Sequence, residues 1–293
     1  MTRCGRIALA GAPNAGKSTL LNALVGAHLA IVSPRPQATR LPVVGLLTEG
    51  DTQFVFVDLP GLLEPGYLLQ ARMMAAAQEA LATSDLILHL HPAPEAPAPD
   101  FVRAARLEEA PAAPVLLVYT KGDLTDAATR ARLEQGPPLA SVVSAREPES
   151  LRLLLNRIRP LLPEREFAFD PDDVGTQPLR FFVTEYLREA AFELLLDELP
   201  YAFAAEVEEY RESESPVYIR VTLFVERESQ KGMVVGRGGR AIKALGEHAR
   251  RRLEALLGTQ VYLDLWVKVL PKWRRSAHAL TRFGFPIAES ESS

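Results

Sequence analysis

The sequence has very little cysteine: Cys4 is the only one in 293 residues. A single thiol cannot form a disulfide within the chain, and it cannot supply the paired cysteines of a structural zinc site. Neither kind of crosslink can therefore hold the fold together. We expect hydrophobic cores of the usual kind and a reducing compartment.

Long apolar runs are also absent. No stretch approaches the roughly 18 consecutive apolar residues that a membrane-spanning helix needs. The N-terminal residues lead directly into a glycine-rich loop, so removal of a signal peptide would destroy that loop, and we expect none. These features predict a cytoplasmic protein, and 293 residues are enough for two domains.

The net charge of −4 hides an uneven distribution. Residues 1–165 contain 16 Lys and Arg against 16 Asp and Glu, residues 166–225 contain 4 against 14, and residues 226–282 contain 13 against 5. Because salt screens charges over about 10 Å, a phosphate responds to the local patch rather than to the average. The basic third segment is the natural candidate for a nucleic-acid surface.

Residues 11–19, GAPNAGKST, match the phosphate-binding pattern G-x-x-x-x-G-K-[ST]. Residues 6–10 predict a buried strand before it, and residues 18–25 predict a helix after it. Glycines allow backbone N–H groups to point at phosphates, beside the positive end of the helix dipole. The residues expected to bind a nucleotide here are Gly11, Pro13, Asn14, Ala15, Gly16, Lys17, Ser18 and Thr19. A glycine-rich turn before an ordinary helix is the alternative.

A polar segment that we expect to be mobile follows and contains Thr39, a candidate second magnesium ligand beside Ser18. The apolar run at residues 53–57 predicts a strand that ends in Asp58-Leu-Pro-Gly61. Asp58 can hold magnesium through water, and the Gly61 amide can contact the outermost phosphate. We assign the phosphate chemistry to Lys17, Thr39 and Gly61, although a plain turn would also explain residues 58–61.

A further predicted strand leads into Thr120-Lys-Gly-Asp123. The Asp123 carboxylate can accept two hydrogen bonds from guanine, while Lys121 can lie along the ring. Ser144 and Ala145 follow the next apolar segment, where a backbone amide can meet the guanine oxygen. His89 and His91 have no further histidine or cysteine nearby, so packing or exposure explains them better than a metal does.

The second half begins after a proline-rich and acidic segment, which predicts a linker over residues 169–178. A helix from residue 179 to 199 is then expected, and the element order α, β, β, α, α, β continues to residue 285, with a flexible tail over residues 286–293. The predicted fold is therefore α/β over residues 1–168, a P-loop GTPase domain with a mostly parallel sheet flanked by helices, followed by a smaller α+β domain.

Residues 236–239, Gly-Arg-Gly-Gly, fit the G-x-x-G loop with which KH domains clamp about four nucleotides. The residues expected to contact RNA are Lys231, Gly236, Arg237, Gly238, Gly239, Arg240, Lys243, Arg250, Arg251, Lys272 and Trp273. Trp273 could stack on a base or cover the edge of the core. A plain helix–helix turn with a solvated basic helix is the alternative for the loop.

Together these motifs resemble the signature set of translation-factor-class GTPases, and nearly the whole chain resembles the Era family of bacterial ribosome-associated GTPases, with a type II KH domain. The resemblance implies GTP or GDP with Mg²⁺, and binding near the 3′ end of 16S rRNA during assembly of the 30S subunit. It also implies a monomer that can contact the inner membrane peripherally. In related GTPases an asparagine at the place of Asn14 helps to hold K⁺.

Two positions depart from the family pattern. Thr120 stands where the family has asparagine, which predicts weakened but retained guanine binding. Leu62 stands where many regulatory GTPases have a glutamine that orients water, which predicts slow hydrolysis. The competing interpretations are a non-hydrolytic RNA-binding scaffold and a P-loop metabolic kinase. The residues of the TKGD motif disfavour the kinase, and intact Lys17, Ser18 and Asp58 disfavour the scaffold.

Overall fold

The computed structural model describes residues 1–135 and 140–287. Its contacts divide the chain into two compact units, one formed by Met1–Gly66 and Gln70–Thr176 and the other chiefly by Gln177–Ile287. The division falls after Thr176, and the predicted linker spans residues 169–178. The expected tail lies largely outside the described residues.

The first unit contains a six-stranded sheet in the order β2-β3-β1-β4-β5-β6. Every neighbouring pair is parallel except β2 with β3. The strands are β1 (Arg3–Ala10), β2 (Val43–Glu49), β3 (Thr52–Asp58), β4 (Leu86–Pro92), β5 (Val115–Thr120) and β6 (Ser141–Val142). All seven residues of β3 are buried, as expected for a strand covered on both faces. The prediction of a mostly parallel sheet is confirmed.

In the first unit a helix follows each strand except β2, which leads directly into β3. They are α1 (Lys17–Val25), α2 (Leu68–Ala82), α3 (Phe101–Ala105), α4 (Ala127–Gln135) and α5 (Pro148–Ile158). Because parallel strands joined through helices end at the same edge of a sheet, the loops after β1, β3 and β5 meet there. This edge carries the motifs of residues 11–19, 58–61 and 120–123.

The segment predicted as a linker packs mostly against the first unit. Leu46 donates its backbone N–H to the Val174 carbonyl at 3.0 Å, and Gly45 pairs with Gly175. The side chain of Gln53, which is fully buried, accepts hydrogen bonds from the Ala168 and Phe169 amides at 2.8 and 3.0 Å and donates to the Phe169 carbonyl at 2.9 Å. Composition indicates a linker here, but the buried Gln53 amide fixes residues 168 and 169, and the pairing with Gly45 and Leu46 fixes residues 174 and 175.

The second unit contains a three-stranded sheet in the order β7-β8-β9, with β8 antiparallel to β7 and parallel to β9. Its elements are α6 (Leu179–Leu194), α7 (Leu199–Ala202), β7 (Ala204–Arg211), β8 (Val217–Val225), α8 (Glu228–Val235), α9 (Arg240–Leu257), β9 (Val261–Val269) and α10 (Ala277–Arg282). The predicted order is confirmed, with α7 and α10 as short additions.

The first helix of this unit is shorter than the sequence predicts. It ends at Leu194, and Asp197 has a positive φ of 52°, a backbone conformation that interrupts a helix. Pro200 then lies in the first turn of α7, where proline is tolerated because the first N–H groups of a helix have no partner within it. The apolar stripe of this region therefore continues across two helices rather than one.

We expect Gln53→Ala to lower the free energy of unfolding by about 1–3 kcal/mol, because it leaves the buried amides of residues 168 and 169 without their acceptor. Urea denaturation measures this as a shift of the midpoint. Gln78→Ala is the matched control, since Gln78 makes a single exposed contact, 3.4 Å from the Arg106 carbonyl. Equal midpoints for the two variants would contradict the anchoring role of Gln53.

Candidate functional site

The loops after β1 and β3 and the segment before β2 enclose a cleft of about 350 Å³. It is lined by Asn14, Gly16, Lys17, Ser18, Thr19, residues 31–35, residues 37–39, Gly61 and Lys121. The predicted phosphate loop, the loop that carries Thr39 and the Gly61 turn therefore face one another. Asn14, which has a positive φ of 64°, donates a hydrogen bond from its side-chain amide to the Pro34 carbonyl at 3.0 Å. The phosphate loop is therefore in contact with the loop that carries Thr39.

Lys17 begins α1, and its side chain is buried beneath the phosphate loop. Its Nζ donates to the Gly11 and Ala12 carbonyls at 3.1 and 2.9 Å. Burial lowers the pKa of the Lys17 ammonium to about 8, and the negative charge of Asp58 opposes that shift. A cation kept in this position favours the approach of an anion such as a phosphate chain.

Three oxygen-bearing side chains predicted to hold magnesium lie together. The Asp58 Oδ2 accepts hydrogen bonds from the Ser18 Oγ at 2.7 Å and the Thr39 Oγ1 at 3.1 Å, and the two hydroxyls are 2.9 Å apart. Hydroxyl and carboxylate oxygens are the ligands that Mg²⁺ prefers. The set fits that ion. In the part of the chain that the structure describes, no cluster of three His, Cys, Asp or Glu side chains offers a different kind of metal site.

Gly61 packs against the phosphate loop so closely that a Cβ atom there would lie 2.8 Å from the Pro13 Cγ. Leu62 donates its backbone N–H to the Gly11 carbonyl at 3.0 Å. The Leu62 side chain is buried in a core cluster with Met74 and Ala77. Position 62 therefore contributes to the core of the unit, which agrees with its inability to orient water.

A second pocket, of about 260 Å³, adjoins the phosphate loop. It is lined by Gly16, Thr19, Leu20, Thr120, Lys121, Asp123, Leu124, Val143, Ala145 and Arg146. The Asp123 Oδ1 accepts a hydrogen bond from the Ser144 Oγ at 2.9 Å, which fixes the orientation of the carboxylate. The structure thus brings together Thr120, Lys121, Asp123, Ser144 and Ala145, as a base pocket requires.

Two features of this pocket come from the structure. The Thr120 Oγ1 donates to the Ala15 carbonyl at 2.7 Å, so it ties the base pocket to the phosphate loop. Arg146 is not among the predicted site residues; its Nη1 lies 3.5 Å from the Asp123 Oδ2, and 84% of its side chain is exposed. Its position directly after Ser144-Ala145 is the feature of the sequence from which a place beside the base pocket could have been predicted.

In the second unit, the predicted Gly-Arg-Gly-Gly loop lies between α8 and α9. Gly236 and Gly238 have φ values of 69° and 59°, a region that favours glycine. A Cβ on Gly236 would lie 2.7 Å from the Ala241 Cβ, whereas a Cβ on Gly238 would meet nothing within 4 Å. The loop therefore has one position that packing restricts and another that is open.

A groove of about 310 Å³ runs between α9 and the edge strand β9. Its lining residues are Ile242, Lys243, Gly246, Glu247, Arg250, Val261, Tyr262, Leu263 and Leu265. Lys243 and Arg250 belong to the predicted RNA-binding set. The apolar wall formed by Ile242, Leu263 and Leu265 was not predicted, because the residues of α9 and β9 meet only through the tertiary fold.

The other predicted RNA contacts separate into two groups. The side chains of Arg237, Arg240, Arg251 and Lys272 are exposed, and Lys231 is half-buried. Trp273 is fully buried, donates its indole N–H to the Ala202 carbonyl at 2.8 Å and packs edge-on against Phe283. The prediction that Trp273 contacts RNA is wrong, because its ring is part of the core.

The strand order, the phosphate loop and the pocket around Asp123 define a P-loop GTPase, and a KH domain follows it. A family model described as a 50S ribosome-binding GTPase matches residues 6–121, and a KH domain model matches residues 198–274. GTPase Era of Desulfovibrio desulfuricans is 39% identical over 297 residues, covering 96% of this chain and 97% of that protein. The chain belongs to the Era family.

Other relatives agree over the full length. GTPase Era of Streptomyces coelicolor is 39% identical, with 97% of this chain and 95% of that protein covered. Era in complex with MgGDPNP and nucleotides 1506–1542 of 16S ribosomal RNA is 33% identical, with a TM-score of 0.90 and 97% and 99% of the chains covered. An Era variant of Aquifex aeolicus bound to GDP·AlF4⁻ gives the same identity, coverage and TM-score. Among the described residues, no helix is long and apolar enough to cross a membrane.

We expect nucleotide affinity to fall as the pH rises above about 8. Below that pH, Lys17 is protonated in both the free protein and the complex. Above it, Lys17 of the free protein is deprotonated, and it must take up a proton when the phosphates bind. The limiting slope is about tenfold per pH unit. Calorimetric titration with GDP, from about pH 7 to about pH 8.5 and in buffers of different ionisation enthalpy, measures the proton uptake. The absence of uptake at the upper end would contradict the lowered pKa of Lys17.

Proposed function

We propose that this protein binds and slowly hydrolyses GTP, and that it binds 16S rRNA near its 3′ end through the second unit during assembly of the 30S subunit. The observation that carries the proposal is the meeting of Lys17, the Ser18–Thr39–Asp58 oxygens and the Asp123 pocket at one edge of one sheet. The complex of a relative with MgGDPNP and 16S rRNA supports both halves of it.

The phosphate chain lies in the larger cleft, where the Lys17 ammonium and the N-terminal end of α1 supply positive charge. Ser18, Thr39 and Asp58 hold Mg²⁺, which neutralises charge that develops on the phosphate oxygens during hydrolysis. The Gly61 amide contacts the outermost phosphate. Because Leu62 is buried in the core, the attacking water lacks the usual side-chain partner at this position, and hydrolysis is slow.

Guanine occupies the smaller pocket beside Asp123. Each oxygen of an ionised carboxylate accepts hydrogen bonds, so Asp123 pairs with both the ring N–H and the exocyclic amino group. The contact from Ser144 keeps the carboxylate in place. A site built in this way rejects adenine, which leaves the carboxylate unpaired.

Single-stranded RNA lies in the groove between α9 and β9, with its backbone across the open Gly238 position. Lys243 and Arg250 supply positive charge, and Ile242, Leu263 and Leu265 supply an apolar floor for the bases. Exposed Arg237, Arg240, Arg251 and Lys272 extend the basic surface, and Lys231 adds to it. A cytoplasmic location accompanies this role. A potassium requirement through Asn14, peripheral membrane contact and a monomeric state stay predictions.

Multiple-turnover hydrolysis of GTP by the full chain, with and without a 16S rRNA fragment, tests the proposal. We expect slow turnover and a change in rate when the RNA is added. A protein that binds GTP and RNA without any hydrolysis would instead be a scaffold that senses nucleotide.

Asp123→Asn should move base preference from guanine to xanthine, because the exocyclic oxygen of xanthine can accept from the new amide where the guanine amino group cannot. Competition between GDP and XDP in equilibrium binding measures the change. Asp126→Asn, at an exposed carboxylate that interacts with Thr129, is the matched control. If the Asp123 variant discriminates guanine from xanthine as the parent does, the assigned role of Asp123 is wrong.

Gly238→Asp should lower RNA affinity sharply while leaving GTP affinity unchanged. The position is open, and aspartate tolerates positive φ better than most residues, so the domain stays folded while the carboxylate repels phosphate. Arg250→Ala with Arg251→Ala should instead weaken binding evenly across RNA sequences and flatten its salt dependence. Parental RNA affinity in the Gly238 variant would show that the loop is only a turn.

A further inference from the structure

The side of the second sheet that faces away from α6 and α9 carries large aromatic side chains. On β8 and β9, even-numbered residues point to this side and odd-numbered ones point to the core. We define the outer sheet face as Tyr218, Arg220, Tyr262, Asp264 and Trp266. Tyr262 and Trp266 are 56% and 57% exposed. Leaving two aromatic rings of one strand in water costs hydrophobic free energy, and exposed apolar patches of this kind often mark binding sites.

These residues are held in a fixed arrangement. The rings of Tyr218 and Tyr262 stack with centroids 5.8 Å apart and planes 16° from parallel. Asp264 accepts hydrogen bonds from the Tyr218 hydroxyl at 2.7 Å and the Arg220 Nε at 3.0 Å. The Arg211 guanidinium lies 4.8 Å from the centre of the Tyr218 ring. The face therefore presents its rings ready oriented, which reduces the entropy lost when a ligand binds.

Within the described residues, the C-terminal elements cover the other end of this side of the sheet. Phe224, on β8, is buried beneath Phe283, with ring centroids 5.4 Å apart, and Arg282 lies 5.2 Å from the Phe224 ring centre. The cover does not extend to Tyr262 or Trp266. Of the two tryptophans, Trp273 is completely buried in the core, whereas Trp266 is exposed on the outer side of the sheet.

We propose that the outer sheet face is a second RNA surface, on which Tyr262 and Trp266 stack bases of the strand that continues from the groove. This inference rests on the proposed function. Tyr262 lines the groove and also belongs to the outer sheet face, since β9 is the edge strand between the two. A KH groove holds about four nucleotides, whereas the RNA in the complex of a relative spans nucleotides 1506–1542, so most of that RNA lies outside a KH groove and is available to a second surface. Open sheets that carry aromatic residues bind bases in other RNA-binding folds.

Charge distinguishes this surface from the groove. The cations at or beside the face, Arg211, Arg220 and Lys268, pair with Glu209, Glu214, Asp264 and Glu208. Phosphates therefore gain little here, and the affinity comes from stacking, which is largely independent of salt. Trp, Tyr and Arg are also common in protein interfaces, but continuity with the groove favours RNA.

The test compares Trp266→Ala with the parent on the full chain, using RNA equivalent to nucleotides 1506–1542 and a set of oligonucleotides of about six nucleotides that tile it. We expect affinity for the long RNA to fall at least about fivefold, with an unchanged salt dependence. The oligonucleotide that depends on Gly238 should bind the variant normally, and a different one should lose affinity. Leu196→Ala, at another exposed apolar residue of this unit, is the control.

A second measurement uses fluorescence, because the chain contains only two tryptophans and Trp273 is buried. Acrylamide should quench the emission of Trp266 in the free protein, and the long RNA should protect it. Unchanged quenching together with parental affinity in the Trp266 variant would overturn the inference and leave a protein partner as the occupant of the face. If the parent chain itself failed to bind the RNA of nucleotides 1506–1542, the proposed function would fail; if the parent bound it and only the Trp266 variant behaved like the parent, this inference alone would fail, so the two failures are distinguishable.

Discussion

The buried ammonium of Lys17 is the constraint on which the first unit depends. A cation removed from water loses hydration, and the two backbone carbonyls that it contacts carry only partial charges. Its pKa falls to about 8 for this reason, even with Asp58 nearby. A polyphosphate restores the missing negative charge, so its binding energy depends on the fold keeping Lys17 in place.

The sheet provides that arrangement through strand order. β1 leads to the phosphate loop and β3 ends at Asp58, and these two strands are adjacent and parallel. Register therefore places the carboxylate beside the helix that begins at Lys17. The turn at Gly61 then packs so closely on Pro13 that any side chain larger than hydrogen would force the two loops apart. The hydroxyls of Ser18 and Thr39 complete a group of oxygens that only the folded chain brings together.

Sequence predicts those features of the site that depend on neighbouring residues, and it does not predict those that depend on contacts between distant parts of the chain. The phosphate loop, the Asp58 turn and the residues around Asp123 are contiguous motifs at strand ends, so the order of strands is enough to place them together. Trp273 could not be assigned from sequence, since an indole beside basic residues has the same local pattern whether it packs on Phe283 or faces solvent. The packing of residues 168 and 169 on the first unit depends on Gln53, more than a hundred positions away in the sequence. The apolar wall of the RNA groove likewise appears only when α9 meets β9.

Thr120 shows how one substitution redistributes recognition within a pocket. A hydroxyl has a single hydrogen, and here Thr120 donates it to the Ala15 carbonyl at 2.7 Å. An asparagine amide has two hydrogens, so it could make the same contact and still donate to the base. With threonine, the tie between the base pocket and the phosphate loop is kept while the second donor is lost. Discrimination between bases then depends on Asp123, and the contacts that Ser144 and Arg146 make with its carboxylate become part of the specificity of the site.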